Sequence, residues 1–158
     1  MEKILRKLFG ILLLALATTS TYAQSEGRGQ LAGTWDVVVT PRVCATGSAI
    51  TTFKASYYFA PGGTFSGVSS GTGSGGRGRE QLGVWKHLEG KHYRFSIKTF
   101  LFDAAGVATS YQIVKHDAKL AYDGLSWASV GDSRTYGLDG VEINAGCSTI
   151  AAMRAIQE

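Results

Sequence analysis

The sequence predicts an all-β fold, a single domain of eight antiparallel strands that run up and down and close into a barrel. Three observations predict it. Turn signals built from Gly, Pro and Asp recur at short intervals, apolar and polar residues alternate between them, and no segment after residue 23 has the 3.6-residue period of an amphipathic helix. Short hairpin connections make neighbouring strands antiparallel, and closing the sheet removes its unpaired edges.

The composition fits one β-domain and excludes several other classes of protein. The chain has 158 residues, of which 44% are apolar, 18% charged and 11% aromatic. This is too little charge and too much apolar surface for a disordered chain. The 21 glycines follow no three-residue repeat, which excludes a collagen helix, and two cysteines are too few for a zinc ribbon or a disulfide-dense miniprotein.

Turn residues delimit the first four strands. The eight predicted strands are residues 31–40, 50–60, 64–69, 81–88, 91–102, 107–122, 125–137 and 141–155. The first alternates around Trp35 and ends at Pro41, whose nitrogen carries no hydrogen to donate. The second ends at the turn 61–63 and the fourth at the turn 89–90. The third leads into the Gly- and Ser-rich segment 66–78, which cannot bury a core. We expect a flexible loop there at a barrel mouth, either a plain connection or a mobile lid.

The last four strands show the alternation most clearly. In the fifth strand the residues that share one face are Tyr93, Phe95, Ile97, Thr99 and Leu101. The sixth strand is long, and we expect a bulge near His116. Asp-Gly pairs at 123–124 and 139–140, a strong two-residue hairpin signal, bound the seventh strand and open the eighth. The alternative to the barrel is a sandwich of two sheets.

The first 23 residues have the features of a secretory signal peptide. Basic residues precede an apolar run over residues 8–17, which is too short to span a bilayer. Residues 21–23, Thr-Tyr-Ala, place small residues at the positions that signal peptidase reads. We therefore predict a signal peptide at 1–23, a barrel domain at 24–158, no stable membrane anchor, and a periplasmic or secreted location in a bacterium. An uncleaved anchor is the alternative.

Removal of this segment changes what the charge implies. The whole chain carries a net charge of +4, whereas residues 24–158 hold 13 basic and 11 acidic residues. These charges are scattered singly and form no basic run. We therefore predict solvated strand faces and no nucleic-acid partner.

Cys44 and Cys147 form an even pair, and in an oxidising compartment the simplest arrangement is one disulfide. It would join the end of the first strand to the last strand, as a closed barrel requires. A buried pair of free thiols is the alternative. A redox pair is disfavoured because the chain contains no C-x-x-C motif.

Several apparent motifs do not indicate chemistry. Residues 67–71 match G-x-S-x-G, and glycines within residues 71–76 match G-x-G-x-x-G. No predicted helix follows them to supply a nucleophile elbow or a phosphate-binding N-terminus. The histidines His87, His92 and His116 lack the spacing of metal ligands. We therefore predict no metal, no cofactor and no assigned catalytic residue.

A pair of features near the two ends of the domain carries a family resemblance. Gly33-Thr34-Trp35 opens the first strand, and Arg154 lies near the end of the last. This resembles the lipocalin/calycin pattern, a G-x-W at the start of the barrel with a basic residue from the last strand over the tryptophan. The resemblance implies a calycin-like barrel in which Trp35 and Arg154 are structural and meet by cation–π contact. The size and strand plan are also similar to allene oxide cyclase/dirigent-like barrels, some of which cyclise or couple small apolar molecules.

A period of two counted from Trp35 assigns a lining to the barrel. The candidate cavity residues are Val37, Val39, Phe53, Tyr57, Phe59, Trp85, Tyr93, Phe95, Ile97 and Tyr111. This lining is large and apolar and carries a few phenols. It suits either a solid core or a pocket for one small hydrophobic ligand.

Three functions remain open for such a barrel. The first is an exported lipocalin-like protein, not an enzyme, that binds a small hydrophobic molecule in a cavity on the order of a few hundred Å³, open at the Gly-rich end. The second is a cyclase or isomerase with a cavity-facing ionisable residue such as Glu80, His87 or Tyr57. The third is a structural or interaction barrel without a pocket. The sequence assigns no oligomeric state.

Overall fold

A computed structural model describes residues 30–70 and 78–155. The predicted signal peptide and residues 71–77 of the Gly-rich segment lie outside the described residues. Within them the chain is a closed, all-antiparallel, up-and-down barrel of eight strands, which confirms the predicted fold class. The strands are β1 (Gly33–Arg42), β2 (Phe53–Phe59), β3 (Thr64–Ser69), β4 (Arg79–His87), β5 (His92–Phe102), β6 (Ala108–Leu120), β7 (Ser126–Gly137) and β8 (Glu142–Arg154). None of the described segments is a helix long and apolar enough to cross a membrane.

Each strand pairs with its neighbours in the sequence, and β1 also pairs with β8 to close the barrel. Trp35 shows the closure, because it lies opposite Tyr57 on β2 and opposite Arg154 on β8. The β1–β8 pairing continues as far as Arg42 and Cys147. The first and last strands are thus joined along their length, which excludes the two-sheet sandwich.

The expected end of β1 at Pro41 is wrong, since the strand continues to Arg42. The Pro41 carbonyl accepts a hydrogen bond from the Ile50 amide in the β1–β2 loop. In a strand the nitrogen and the carbonyl of one residue point to the same side. The proline nitrogen therefore faces the loop, where no ladder bond is lost, and the pairing with β8 is intact.

The expected bulge near His116 is also wrong. Pairing of β6 with both neighbours is regular there. The register shifts instead at residues 101–102, between β5 and β6, and at residues 135–136, between β7 and β8. Both irregularities lie close to the hairpin loops, and barrel rims are where bulges concentrate.

Glycine and aspartate close the later hairpins where the sequence predicts turns. Gly124 and Gly140 have φ values of +71° and +85°, a conformation that residues with a Cβ atom rarely adopt. The Oδ1 of Asp123 accepts a hydrogen bond from the backbone amide of Leu125, and Asp139 accepts one in the same way two residues before Val141. These turns are therefore specified by local chemistry.

The alternating strand directions give the barrel two different ends. The residues before β1, the turns β2–β3, β4–β5 and β6–β7, and the residues after β8 lie at one end, here called the closed end. The loops β1–β2, β5–β6 and β7–β8 lie at the other, here called the open end, where β3 also ends and β4 begins.

Aromatic rings fill the half of the barrel nearest the closed end. Phe59 is completely buried at its centre. The rings of Phe65, Phe95, Trp85 and Trp127 surround it, with centroids 5.2–5.9 Å from its own and steep interplanar angles. Edge-to-face contacts of this kind stabilise a core beyond the burial of apolar area. This half of the barrel is a solid core.

Arg154 covers Trp35 at the closed end. The Cζ atom of Arg154 lies 4.2 Å from the centroid of the Trp35 ring. Its guanidinium donates hydrogen bonds of 2.9–3.1 Å to the carbonyls of Gln30, Ala32 and Gly124. Gly33 makes room for it, because a Cβ atom there would lie 2.7 Å from Nη1 of Arg154. The residues of the lipocalin-like pattern are thus in direct contact.

A disulfide joins Cys44 to Cys147 at the open end, as predicted, with Cα atoms 5.1 Å apart. Cys44 lies in the β1–β2 loop just after β1, and Cys147 is on β8 opposite Arg42. The bond ties the loop to the neighbouring strand across 103 residues of sequence. It is compatible with an oxidising extracellular or periplasmic environment.

Candidate functional site

A cavity of about 520 Å³ lies inside the barrel at the open end. Seven of the eight strands and the β1–β2 loop line it, and β3 does not. Both cysteines of the disulfide are part of its wall. The interior of the barrel is therefore solid towards the closed end and hollow towards the open end.

Polar side chains concentrate on three neighbouring strands of the cavity wall. Strands β6, β7 and β8 supply Gln112, His116, Ser133, Asn144 and Ser148. Strands β1, β2 and β5 contribute the apolar side chains of Val39, Phe53 and Ile97. The cavity is therefore amphiphilic.

Arg42 is the one charged residue among the described residues that line the cavity. Its Nε donates to Oγ1 of Thr149 at 2.8 Å, and its Nη1 donates to the carbonyl of Gly47 at 2.8 Å. The guanidinium thus already fastens the β1–β2 loop to β8. The deeper wall of the cavity carries no formal charge.

Exposed apolar side chains lie in the loops of the open end, and two of them, Val43 and Ile50, line the cavity. These exposed side chains come from the β1–β2 loop and the β5–β6 and β7–β8 hairpins, and are Val43, Ile50, Val107, Leu138 and Val141. Val43 and Ile50 therefore extend the apolar character of the wall to the surface.

His116 on β6 is the most deeply buried polar residue of the site, with 1% of its surface exposed. Its Nδ1 lies 2.8 Å from Oγ of Ser129, and its Nε2 lies 2.9 Å from Oγ of Ser148. The ring stacks on Phe95, with centroids 5.3 Å apart. Gly131 on β7 leaves the space for it, because a Cβ atom there would lie 2.5 Å from Cδ2 of the imidazole.

Burial keeps the imidazole of His116 neutral. Removal from water lowers its pKa from 6.5 to about 4, and the charges of Asp132 and Asp117 oppose that shift only in part. A neutral imidazole has one N–H donor and one acceptor nitrogen. Hydrogen bonds to a serine on either side satisfy both, and only Ser148 of those two serines lines the cavity.

Tyr57 and Gln81 form a second polar pair at the cavity wall. Their side chains are hydrogen-bonded, and burial raises the pKa of the Tyr57 phenol well above its usual range. Within the described part of the chain, Oε1 of Gln81 has no hydrogen-bond partner. The phenol is therefore a neutral group at pH 7, like the imidazole.

The structure separates the sequence-predicted lining residues into three groups. Four line the cavity, namely Val39, Phe53, Tyr57 and Ile97. Five belong to the packed interior and do not line it, namely Val37, Phe59, Trp85, Tyr93 and Phe95. The expectation that Tyr111 faces inward is wrong. It lies on the outer face of β6, where it stacks on Tyr136 at a centroid distance of 5.3 Å.

The polar side chains of the cavity wall, Tyr57 apart, were not predicted from the sequence. Assigning Tyr111 to the interior put that part of β6 in the wrong phase, with Gln112 facing outward. Counting back by two from Leu120, which is buried, would have placed His116 and Gln112 inside. Counting back from Ile150 on β8 would have placed Ser148 inside in the same way.

Other candidate groups do not form a site. Glu80 and His87, two of the ionisable residues considered for a cavity, are exposed. Ser69, the serine of the G-x-S-x-G match, is buried in strand β3. Nowhere in residues 30–70 or 78–155 do three or more His, Cys, Asp or Glu residues gather closely enough to hold a metal ion.

Comparison with known proteins supports the fold. The chain matches no protein-family profile and no curated protein. Among solved structures it is similar to a redesigned β-barrel, with a TM-score of 0.52 and 20% sequence identity, over 82% of this chain and 96% of that chain. A likeness at this level of identity shows the barrel architecture alone.

Proposed function

We propose that this protein is a lipocalin-like barrel that binds one small, mostly apolar molecule in the cavity at its open end. The observation that carries the proposal is the cavity. Side chains can fill an eight-stranded barrel completely, yet the described residues leave a volume of about 520 Å³ open, which is within the range of small-molecule sites. Unfilled volume costs stability, so a barrel that acted only through its surface would be better filled.

The chemistry of the wall supports the same function. Apolar side chains form one side of the wall and, at Val43 and Ile50, its outer edge, while the deeper polar groups are uncharged. The contact between Trp35 and Arg154 closes the opposite end, so a ligand would enter and leave by one mouth. Burial of an apolar molecule there is favourable in proportion to the area removed from water.

Binding of a neutral fluorescent probe such as N-phenyl-1-naphthylamine tests the proposal. Val114 lines the cavity, and Ile113 beside it on β6 does not, so Val114→Trp and Ile113→Trp form a matched pair. We expect saturable binding by the wild type, binding at least about tenfold weaker in Val114→Trp, a loss of roughly 1.4 kcal/mol, and little change in Ile113→Trp. Absence of binding by the wild type, or equal effects of the two folded variants, would contradict the proposal.

We also propose that the protein is exported from a bacterial cytoplasm to the periplasm or the medium, with residues 1–23 removed. The sequence pattern of this segment and the disulfide are both compatible with that route. The intact mass of the protein from its own host tests it. A chain that begins at Gln24 and resists alkylation until it is reduced is expected. A retained N-terminus or freely alkylated cysteines would contradict export.

A cyclase or isomerase is the second candidate, because two ionisable side chains, Tyr57 and His116, line the same cavity. Their pKa values favour binding over catalysis, since burial makes the phenol a weaker acid and the imidazole a weaker base. Native mass spectrometry of the protein from its host, followed by chromatography and NMR of the released molecule after incubation with the protein, separates the candidates. Release of an unchanged molecule supports binding. Conversion of that molecule to an isomer, lost in His116→Gln, would support catalysis.

A further inference from the structure

A purely apolar ligand would not match the polar wall of the cavity. When a ligand displaces water, each buried donor or acceptor left without a partner costs about 1–3 kcal/mol. Ser148 is the polar wall residue with the clearest supporting structure, because His116 holds its hydroxyl from behind at 2.9 Å.

Ser148, His116 and Ser129 form a hydrogen-bonded chain with two possible proton arrangements. In the first, Ser148 donates its hydroxyl hydrogen to Nε2, and Nδ1–H donates to Ser129. In the second, Ser129 donates to Nδ1, and Nε2–H donates to Ser148. The distances of 2.8 and 2.9 Å suit both. Each arrangement uses one N–H and one acceptor nitrogen, so neither creates a charge.

The two arrangements present different groups to the cavity. In the first arrangement the hydroxyl hydrogen of Ser148 is engaged, and the oxygen presents an acceptor lone pair. In the second arrangement the hydroxyl hydrogen is free, and Ser148 presents a donor. Exchange of the imidazole proton from Nδ1 to Nε2 through water, with rotation of both serine hydroxyls, therefore adapts Ser148 to either kind of ligand group.

We propose that the ligand is an amphiphile with a neutral hydrogen-bonding head group, a hydroxyl or a carbonyl, which pairs with Ser148 while its apolar body lies against Val39, Phe53 and Ile97. The inference rests on the proposed function of the cavity. Arg42, at the mouth, is the one positively charged residue among the described residues that line the cavity, and it is already hydrogen-bonded to Thr149 and Gly47. An anionic head group would therefore find its one opposite charge there. The hydrogen-bonded chain through His116 presents only uncharged groups to a ligand.

Three probes of one shape test the inference: 2-naphthol, 2-methylnaphthalene and 2-naphthoate. We expect the mature protein at neutral pH to bind 2-naphthol about 3- to 10-fold more tightly than 2-methylnaphthalene, the effect of one net hydrogen bond, and 2-naphthoate most weakly. Ser148→Ala should reduce the preference for the hydroxyl to near unity. Ser133→Ala, which removes another hydroxyl from the cavity wall, should preserve it.

The outcomes separate this inference from the proposed function. Equal binding of the naphthol and the methyl compound, or a preference that survives Ser148→Ala, would overturn the inference and leave the binding function standing. Tightest binding of 2-naphthoate would also overturn it and would assign the head group to Arg42. If none of the three probes binds although N-phenyl-1-naphthylamine does, the inference fails and the binding function stands. If N-phenyl-1-naphthylamine does not bind either, both fail.

The tautomer of His116 gives a second readout that needs no variant. The carbonyl of 2-acetylnaphthalene can only accept, so Ser148 must donate to it, and this selects the arrangement with Nε2 protonated. We expect nitrogen-15 NMR of the His116 ring to show an increased fraction of the Nε2–H tautomer on addition of this ketone, with the ring still neutral. Binding without a change of tautomer would overturn the role of the chain.

Discussion

At the scale of single residues, His116 shows how a polar group becomes part of a barrel interior. A buried polar group is tolerated when its donors and acceptors are paired, and Ser129 and Ser148 pair both ring nitrogens. The remaining surface of the ring stacks on Phe95. Gly131 supplies the space, so His116 depends on a residue of the neighbouring strand that has no side chain at all.

The lowered pKa of His116 predicts a loss of stability in mildly acidic solution. Above pH 6.5 the imidazole is neutral in both states. Between pH 6.5 and about 4 the unfolded chain takes up a proton that the folded chain does not. The free energy of unfolding therefore decreases as the pH is lowered through this window, by roughly 3 kcal/mol in total. Below about pH 4 the folded imidazole is protonated too, and this contribution stops changing.

Urea unfolding of the wild type and of His116→Gln at about pH 7 and about pH 4.5 measures this effect. Glutamine can replace the hydrogen bonds but cannot be protonated, so its loss of stability on acidification should be clearly smaller. Arg94 lowers the pKa of Asp117, so the stability from that pair is lost only at lower pH and does not mimic the histidine. Equal losses in both proteins would contradict the assignment.

At the scale of elements, the strands were predictable because their signals are local. Asp123-Gly124 and Asp139-Gly140 specify their turns through side-chain to backbone hydrogen bonds and positive φ values. Alternation then delimits each strand between turns. Neither signal depends on contacts between residues that are distant in the sequence. The observed strands therefore begin and end within a few residues of the predicted ones.

The phase of β6 was not predictable from the strand alone, because its two halves suggest opposite answers. Tyr111 and Ile113 favour one phase, while Ala118 and Leu120 favour the other, and pairing without a bulge allows only one. Tyr111 is stabilised on the outside by cross-strand partners. It stacks on Tyr136, and Nζ of Lys98 lies 4.4 Å from its ring centroid. The polar wall of β7 and β8 was not predicted for a related reason, since Ser133, Asn144 and Ser148 are residue types that usually face solvent.

Replacement of Arg154 on β8, the strand that closes the barrel, should have a large effect on stability. Arg154 joins the residues before β1, the β6–β7 turn and β8 through three carbonyls, and it also stacks on Trp35. We expect Arg154→Met, which keeps much of the apolar stem, to lower the free energy of unfolding by about 2–4 kcal/mol. Arg154→Lys should lose part of this, because an ammonium lacks the planar fork of donors.

Arg94→Met is the matched control for this change in denaturant unfolding. Arg94 pairs with Asp117 on the exposed outer face of β5 and β6, where ion pairs contribute little. We expect it to alter the stability much less than Arg154→Met does. Similar losses for the two methionine variants would contradict a specific role of Arg154 in sealing the closed end.

At the scale of the whole molecule, the packed core and the cavity lie in different halves of one barrel. The closed half buries a continuous set of aromatic rings around Phe59, with no room for a ligand. The open half contains the cavity and the β1–β2 loop. A single closed sheet runs through both halves, so the rigid core holds the cavity walls in position.

The disulfide lies in the open half, yet its main effect should be on the unfolded chain. A crosslink across 103 residues removes loop-closure entropy from that state, an effect of about 4–5 kcal/mol in the chain-entropy description. In the folded state β1 and β8 are already paired up to Arg42 and Cys147. The loop also keeps its bonds from Arg42 to Gly47 and from Ile50 to Pro41.

We therefore expect the Cys44→Ala/Cys147→Ala double variant to unfold at a much lower guanidinium concentration, while in dilute buffer it binds N-phenyl-1-naphthylamine within about twofold of the wild type. Wild type measured with reductant should match the variant, and reductant should leave the variant unchanged. A large loss of probe affinity in the folded variant would show instead that the bond holds the cavity wall itself, and a loss of less than about 1 kcal/mol would remove the unfolded-state argument.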